Sequence, residues 1–217
     1  MEKNFELSLI IGRFNHIHSG HKKIIDISKS LSEKTLIFIG SAQESGTLRN
    51  PFKLETREKL IKKIYGKDDS VIVAGLKDLS NEYNITFDWG KYILKNVEEV
   101  AGIKPDLLIT GNDDSRKGWY NAEDIKNASE IILSRKIIEV SATDLRGYLV
   151  IEDEESWSKY MPEELMGSFE ELREELMKIH VYKEIYSKIS NNLTIENYIK
   201  VYKKYEEEDK RHKLNEH

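Results

Sequence analysis

The chain has 217 residues, with 34 Lys and Arg against 39 Asp and Glu and no cysteine. This length suits one large domain, and without cysteine the chain has no disulfide, thiolate zinc site or cysteine nucleophile. The formal net charge of −5 argues against a general nucleic-acid-binding protein, which usually carries a basic surface. No signal peptide and no membrane-spanning apolar stretch is found, so we expect a cytoplasmic protein.

Charge and glycine are unevenly distributed along the chain. Residues 1–150 contain 23 Lys and Arg against 22 Asp and Glu, whereas residues 151–217 contain 11 against 17. Eleven of the twelve glycines lie at or before Gly147, and neither glycine nor proline follows Gly167. This pattern predicts a loop-rich functional part followed by an acidic, helical segment.

Short apolar runs alternate with amphipathic stretches in the first 150 residues. The runs are rich in Ile, Val and Leu, as buried parallel strands are, and comprise Leu7 to Ile11, Thr35 to Ile39, Val71 to Ala74, Leu107 to Thr110 and Ile131 to Leu133. Helical spacing predicts helices between them, at Ile24, Ile27 and Leu31, at Leu60, Ile61 and Ile64, and at Trp89, Ile93 and Val97.

This order of elements predicts an α/β fold with a doubly wound, Rossmann-like parallel sheet and helices on both faces. In such folds ligands bind beyond the carboxyl ends of the strands. Functional residues are therefore expected in the loops after Ile11, Ile39, Leu76 and Thr110.

The sequence after Asp153 has a helical pattern. A first helix is predicted from the spacing of Leu165, Phe169, Leu172, Leu176 and Ile179. Thr194 can cap a second helix, whose apolar and aromatic face consists of Ile195, Tyr198, Ile199, Tyr202 and Tyr205. We expect residues 206–217 to be frayed.

The most informative segment runs from Gly12 to His21 and reads Gly-Arg-Phe-Asn-His-Ile-His-Ser-Gly-His. A buried strand ends at its start, and a helix begins near Ser19, which can serve as the N-cap. His18 and His21 therefore flank a helix N-terminus, where free N–H groups favour phosphate. The two imidazoles can donate hydrogen bonds to phosphate oxygens, and Gly20 allows close approach of a nucleotide.

Surface histidines on a polar loop are the alternative interpretation. We favour a phosphate site because the pair directly follows the first strand and opens a helix. A zinc site is disfavoured, since His16, His18 and His21 have no cysteine or carboxylate at ligand spacing.

This segment resembles the His-x-Gly-His signature of the nucleotidylyltransferase superfamily. It is most similar to the run Gly-Arg-Phe-Gln-Pro-x-His-x-Gly-His of archaeal-type nicotinamide mononucleotide (NMN) adenylyltransferases, with Asn15 and His16 in place of Gln and Pro. The resemblance spans about residues 5–165, so we expect a nucleotidylyltransferase domain at 1–165 and a helical extension at 166–217. It implies that Gly12, Phe14 and Gly20 contact the nucleotide.

The loop after the second predicted strand is similar to the family's Gly-Ser-Ala-Gln-x-Ser-His-Thr-x-x-Asn-Pro-Phe. Residues 40–52 match this run, with Gly46 in place of His. The loop is rich in hydrogen-bond donors, and a helix carrying Arg57 follows it. The resemblance implies that Ser41, Gln43, Asn50 and Arg57 bind the acceptor.

Residues 140–146 are similar to a second signature, Ile-Ser-Ser-Thr-x-Ile-Arg. The segment is another strand-to-helix junction, where Ser141 and Thr143 can cap and Arg146 can bind phosphate oxygens in a bidentate manner. We expect it to face the N-terminus of the first helix, and the resemblance assigns Ser141 and Thr143 to the nucleotide site.

Two shorter segments also match. Thr110-Gly111-Asn112 is similar to the family's Thr-Gly-Asn, which implies that Gly111 and Asn112 contact the nucleotide, with a simple turn as the alternative. Trp89 lies in a segment like the one whose Trp stacks on the nicotinamide ring, with core packing as the alternative.

The resemblance implies transfer of AMP from ATP to NMN, which forms NAD and pyrophosphate. His18 and His21 would stabilise the reacting α-phosphate, Arg13 and Arg146 would hold the β- and γ-phosphates, and Mg²⁺ would accompany ATP without an acidic metal site on the protein. The expected partners are ATP and a small phosphorylated acceptor, without nucleic acid or membrane, and family members suggest a homo-oligomer.

Two alternatives remain. Asn15, His16 and Gly46 keep open another acceptor or nucleotide, such as phosphopantetheine, FMN or CTP-dependent cytidylyl transfer. A nucleotide-binding regulator could also retain the fold without the chemistry. A class I aminoacyl-tRNA synthetase shares the histidine signature, but 217 residues leave no room for an anticodon domain and Lys-Met-Ser-Lys-Ser is missing.

Overall fold

The computed structural model describes residues 3–79, 87–111, 115–134 and 141–215. Within these residues one parallel sheet contains the strands β1 Phe5–Gly12, β2 Ser32–Ile39, β3 Val71–Gly75, β4 Leu107–Thr110 and β5 Ser129–Ile132. Their order in the sheet is β3-β2-β1-β4-β5, and each pairing is parallel. The predicted doubly wound parallel sheet is confirmed. Its strand order reverses between β1 and β4, where such folds bind ligands.

The described helices are α1 Ser19–Leu31, α2 Leu54–Tyr65, α3 Phe87–Ala101, α4 Ala142–Ile151, α5 Glu154–Ser158, α6 Phe169–Met177, α7 His180–Ile189 and α8 Ile195–Asn215. The first three are the helices predicted between the strands. The predicted helix over Leu165 to Ile179 is instead a 3₁₀ helix, Glu163–Ser168, followed by α6, and Ile179 caps α7.

Thr194 caps α8 as predicted, because its Oγ1 accepts a hydrogen bond from the backbone N–H of Asn197 at 3.3 Å. The expected fraying from residue 206 is wrong, since α8 continues to Asn215.

Alternating side chains give the sheet an apolar core on each face. In β1, Leu9 belongs to one buried cluster and Ile10 to the other, as the period of two in a strand requires. Ile93 of α3 packs in the cluster of Leu9, whereas Ile25 of α1 and Ile61 of α2 pack in that of Ile10. Helices therefore cover both faces of the sheet.

The helices beyond residue 165 share the core of α1 and α2. Tyr182 and Tyr198 are fully buried in the same cluster as Ile10. Glu175 of α6 also accepts hydrogen bonds at the start of α2, from the Thr56 hydroxyl at 2.9 Å and the Lys53 N–H at 3.3 Å. The expected division at residue 165 thus separates two segments that are packed into one core.

Replacing Gly147 by valine should destabilise the protein, because α8 packs closely on this residue of α4. A Cβ atom at Gly147 would lie 2.4 Å from Cδ1 of Ile195 and 2.5 Å from Cδ1 of Tyr198. Overpacking of this kind costs about 1–3 kcal/mol of unfolding free energy, which urea denaturation followed by circular dichroism will measure. The control is Gly118→Val, since a Cβ atom there has no heavy atom within 4 Å. Equal midpoints for the two variants would contradict the packing described.

Candidate active site

The loop after β1 brings two histidine rings together at the start of α1. His18, and not Ser19, is the N-cap: its Nδ1 accepts a hydrogen bond from the backbone N–H of Gly20 at 3.1 Å. The ring centroids of His18 and His21 are 4.0 Å apart. Both predicted histidines therefore lie at the helix N-terminus, where backbone N–H groups favour an anion.

The capping hydrogen bond determines which nitrogen of His18 carries the proton. Because Nδ1 accepts, the neutral ring has its proton on Nε2, and Nε2–H remains a donor. The Nδ1 atom of His21 is buried and has no hydrogen-bond partner among the described residues. A buried polar atom without a partner is unfavourable. The pair thus has hydrogen-bonding capacity that a ligand can satisfy.

Burial keeps these rings neutral near pH 7. Desolvation, with smaller contributions from His21 and His16, lowers the pKa of His18 well below its usual value. Burial and the neighbouring His16 lower the pKa of His21 to about 4. The donors at the helix N-terminus are therefore neutral imidazoles.

His16, which stands where the family has proline, anchors the loop to α5. It is fully buried, and its Nε2 accepts a hydrogen bond from Nε1 of Trp157 at 3.1 Å. Its Nδ1 lies 2.9 Å from the carbonyl oxygen of Ile17, to which it donates when the ring is neutral. Burial lowers the pKa of His16 to about 4, so the neutral ring satisfies both contacts.

Gly12, Arg13 and Phe14 form the start of the loop. The Phe14 ring is buried with its centroid 4.9 Å from that of His21, and a Cβ atom at Gly12 would lie 3.1 Å from this ring. Phe14 therefore supports His21, and its contact with the nucleotide stays a prediction. Arg13 is exposed, and its carbonyl oxygen accepts a hydrogen bond from Arg57.

Arg146 of α4 reaches the same loop. Its Nη1 donates to the carbonyl oxygen of Asn15 at 2.6 Å, and its Nη2 donates to Thr143 Oγ1 and to the hydroxyl of Tyr202, both at 3.1 Å. Only 4% of Arg146 is exposed. The second signature therefore contacts the loop after β1 at Asn15, which lies three residues before His18.

Ser141 and Asp144 form a capping box at the start of α4. The Ser141 hydroxyl oxygen accepts from the Asp144 N–H at 3.1 Å, and the Asp144 carboxylate accepts from the Ser141 N–H at 3.0 Å. The Thr143 hydroxyl oxygen is used by Arg146. Nucleotide contacts of Ser141 and Thr143 stay predictions.

Arg57 has a different role from the predicted one. Its side chain is fully buried, and its N–H groups donate to five backbone carbonyl oxygens, those of Lys53, Arg13, Gly40, Ser41 and Glu44, at 2.8–3.4 Å. A guanidinium group has five N–H donors. All of them hold the loops after β1 and β2 together, so none remains for the acceptor.

The other predicted acceptor residues lie in the loop after β2. The Asn50 amide donates to the Glu44 carboxylate at 2.6 Å and accepts from the Asn15 amide at 2.8 Å. Gln43 is exposed and accepts from the backbone N–H of Asp78 at 3.1 Å. Ser41 is buried next to Arg57. The loop after β2 is therefore connected to the loops after β1 and β3.

At the end of β4, Thr110 is buried and its hydroxyl has no hydrogen-bond partner in the described part of the chain. Gly111 follows it, and Asn112 lies outside the described residues.

Sequence reasoning missed Arg116, whose Nη1 donates to the carbonyl oxygen of Ile11 at 2.7 Å and whose guanidinium lies 4.6 Å from the Trp119 ring centroid. No local pattern distinguishes this arginine in a charged loop.

Trp89 shows the core packing that was the alternative interpretation of its position. Its ring stacks on Tyr92 with centroids 5.5 Å apart, and it packs against the core on the face of α3 while staying partly exposed. Core packing is thus present, and stacking on a nicotinamide ring stays a prediction.

The described residues contain neither a metal-binding cluster nor a membrane-spanning helix. No group of three or more His, Cys, Asp or Glu side chains there could hold a metal ion. None of the helices in that part of the chain is long and apolar enough to cross a membrane.

Comparison with known proteins relates this geometry to a family. The model of the cytidylyltransferase-like family matches residues 9–197. The nicotinamide-nucleotide adenylyltransferase of Thermococcus sibiricus is 28% identical over 167 residues, which cover 76% of this chain and 83% of that protein. The protein of the same name from Sulfurisphaera tokodaii is 27% identical, with 75% and 89% covered.

Among solved structures, the fold is similar to that of a bifunctional NMN adenylyltransferase/ADP ribose pyrophosphatase from Francisella tularensis. The TM-score is 0.63 at 22% identity, and the match covers 86% of this chain and 54% of that one. The chain thus spans about half the length of the bifunctional protein, and the likeness concerns the fold alone.

Arg57→Met should lower the unfolding free energy by about 3 kcal/mol or more, since it removes five hydrogen bonds and leaves the carbonyl oxygen of the buried Gly40 without its donor. Urea denaturation of the ligand-free protein measures this. Lys62→Met on the same helix is the control, because that side chain is 56% exposed and forms only a surface ion pair. Similar stability of the two variants would contradict the structural role of Arg57 and favour the acceptor-binding role predicted from the sequence.

Unfolding free energy should also fall as the pH is lowered from about 6.5 towards 4. His16 and His21 have pKa values of about 4 in the fold against a usual 6.5, so in this range the unfolded chain binds protons that the folded chain does not. Each ring contributes up to about 1.4 kcal/mol per pH unit. Urea denaturation at pH 7.5, 6 and 5 tests this, and His21→Asn should show a weaker dependence than the wild type. An equal slope would contradict it.

Proposed function

Because the chain belongs to the cytidylyltransferase-like family, we propose that it is an enzyme that transfers AMP from ATP to NMN. A 5′-phosphate oxygen of NMN attacks the α-phosphorus, the bond from this phosphorus to the oxygen bridging to the β-phosphate breaks, and NAD and pyrophosphate form. The observation that carries the proposal is the pair of neutral histidines at the N-terminus of α1 with Arg146 bonded to the same loop. Curated relatives named nicotinamide-nucleotide adenylyltransferase support the choice of reaction.

The histidines would stabilise the transition state by donating hydrogen bonds. The attacking phosphate is already an anion, so the step needs no general base, and catalysis rests on positioning and charge stabilisation. The Nε2–H of His18 is the donor left by the N-cap bond, and His21 lies beside it. Both would bind the α-phosphate oxygens as negative charge develops there.

The triphosphate would lie between the two helix N-termini that the signatures form. Arg146 and Arg13 would bind the β- and γ-phosphates, with Gly12, Gly20 and the loop of Gly111 against the nucleoside. The donors at this edge are mainly N–H groups, which suits a Mg²⁺ ion held by phosphate oxygens and water, as magnesium often is. When bound, Mg²⁺ supplies neutralisation of phosphate charge.

The acceptor would occupy the side of Asn50 and Gln43. Trp89, partly exposed and stacked on Tyr92, has a ring face suited to an aromatic base. Arg57 would act indirectly, through the loops it holds. The second candidate is the same reaction with a different acceptor. Asn15 favours it, because this residue stands where family members have glutamine and its amide donates to Asn50 on the acceptor side.

A homo-oligomeric state, the absence of nucleic acid and a cytoplasmic location stay parts of this proposal. Each is a prediction from the sequence.

His18→Ala and His21→Ala should each lower kcat by about 10²-fold or more, because each removes a donor to developing charge. Pyrophosphate release is measured with ATP or CTP and with NMN, FMN or phosphopantetheine as acceptor, and ATP affinity is measured by calorimetry. His180→Ala is the control, since that histidine side chain is 88% exposed on α7.

Near-normal turnover in both variants would refute the assigned roles. Turnover with another acceptor only would identify the second candidate. ATP binding without pyrophosphate release for any acceptor would mean a regulator instead.

A further inference from the structure

The C-terminal helix α8 contributes a side chain to the surroundings of Arg146. The Tyr202 hydroxyl accepts a hydrogen bond from Nη2 at 3.1 Å, and the guanidinium lies 5.7 Å from the centroid of the Tyr202 ring. Tyr202 is 3% exposed. The contact joins residues 56 positions apart, so it depends on how α8 docks on α4.

The docking of α8 is closely fitted. Gly147, next to Arg146, has no side chain, and the side chains of Ile195 and Tyr198 on α8 occupy the space a Cβ atom would need. The hydroxyl of Tyr182 on α7 also donates to the carbonyl oxygen of Leu48 at 2.7 Å. The C-terminal helices therefore contact both the second signature and the loop after β2.

The Arg146 guanidinium is held at three points but not saturated. The carbonyl oxygen of Asn15 and the hydroxyls of Thr143 and Tyr202 accept three of its five N–H bonds. Its Nε is buried and has no partner among the described residues. An unpartnered donor on a cationic side chain that is 96% buried is unfavourable unless a ligand completes it.

Tyr202 differs from the other two partners. Asn15 and Thr143 belong to the two signatures themselves, whereas Tyr202 comes from outside the region that resembles the family. A planar guanidinium held by acceptors from three segments has one orientation, and phosphate recognition by arginine depends on that orientation.

We propose that Tyr202 is a positioning residue for nucleotide binding, which orients Arg146 towards the triphosphate, and that α8 is therefore an integral part of the active site. This inference rests on the proposed function for the identity of the ligand. It assigns a role to the acidic extension, in addition to its role in packing.

Tyr202→Phe tests this, because it removes the hydroxyl and keeps the ring. We expect the KM for ATP and the calorimetric Kd of ATP to rise about tenfold, as loss of a hydrogen bond to a charged group predicts, with the KM for the acceptor unchanged. Tyr205→Phe is the control: it lies one turn further along α8, and its hydroxyl contacts Lys188 and Glu184. This control should retain the ATP affinity of the wild type.

A double-mutant cycle separates positioning from a general loss of stability. In an Arg146→Lys background, Tyr202→Phe should have little further effect on ATP affinity, because the oriented guanidinium is already lost. Additive effects, or equal ATP affinity in Tyr202→Phe and Tyr205→Phe, would overturn the inference. A wild-type protein that binds ATP but releases no pyrophosphate would refute the proposed function instead, and the calorimetric comparison would still decide the role of Tyr202.

Discussion

The guanidinium of Arg57 is fully buried, and all its N–H groups donate to backbone carbonyl oxygens near the carboxyl ends of β1 and β2. Those of Arg13, Gly40 and Glu44 belong to the loops that leave β1 and β2. Gly40 is buried, so without Arg57 its carbonyl oxygen would be left without this donor. One of them, the carbonyl of Arg13, directly precedes Phe14, whose ring supports His21. The arrangement of the histidines thus depends on an arginine that contacts neither of them.

The C-terminal helices α7 and α8 also constrain the loops around the histidines. The helices beyond residue 165 hold the loop after β2 through Tyr182 and the second signature through Tyr202. Some of their acidic side chains bind α2 instead, since Glu171 pairs with Lys59 and Glu175 accepts hydrogen bonds from Thr56 and Lys53. The aromatic face of α8 and the acidic side chains of α6 therefore make separate contacts, one with Arg146 and one with α2.

The fold was predictable because short runs of Ile, Val and Leu are typical of buried parallel strands, and the histidines were predictable because a strand, a loop and a helix occur in order. The role of Arg57 was not, since an arginine beside a donor-rich loop gives the same pattern whether it faces a ligand or carbonyl oxygens. The break between α6 and α7 was missed for a related reason. No glycine or proline marks it, and the apolar spacing continues from Leu176 to Ile179.

The charge state of the histidines and of Arg146 follows from their surroundings. Burial is the main cause of the low pKa of His16, His18 and His21, and protonating them would also add like charges to one another and, for His16, to Arg146. Arg146 stays charged, with the hydroxyls of Thr143 and Tyr202 and the carbonyl oxygen of Asn15 around it. A bound triphosphate would bring negative charge to the rings and raise the histidine pKa values again. This local response to a polyanion is not revealed by a formal net charge of −5 for the whole chain.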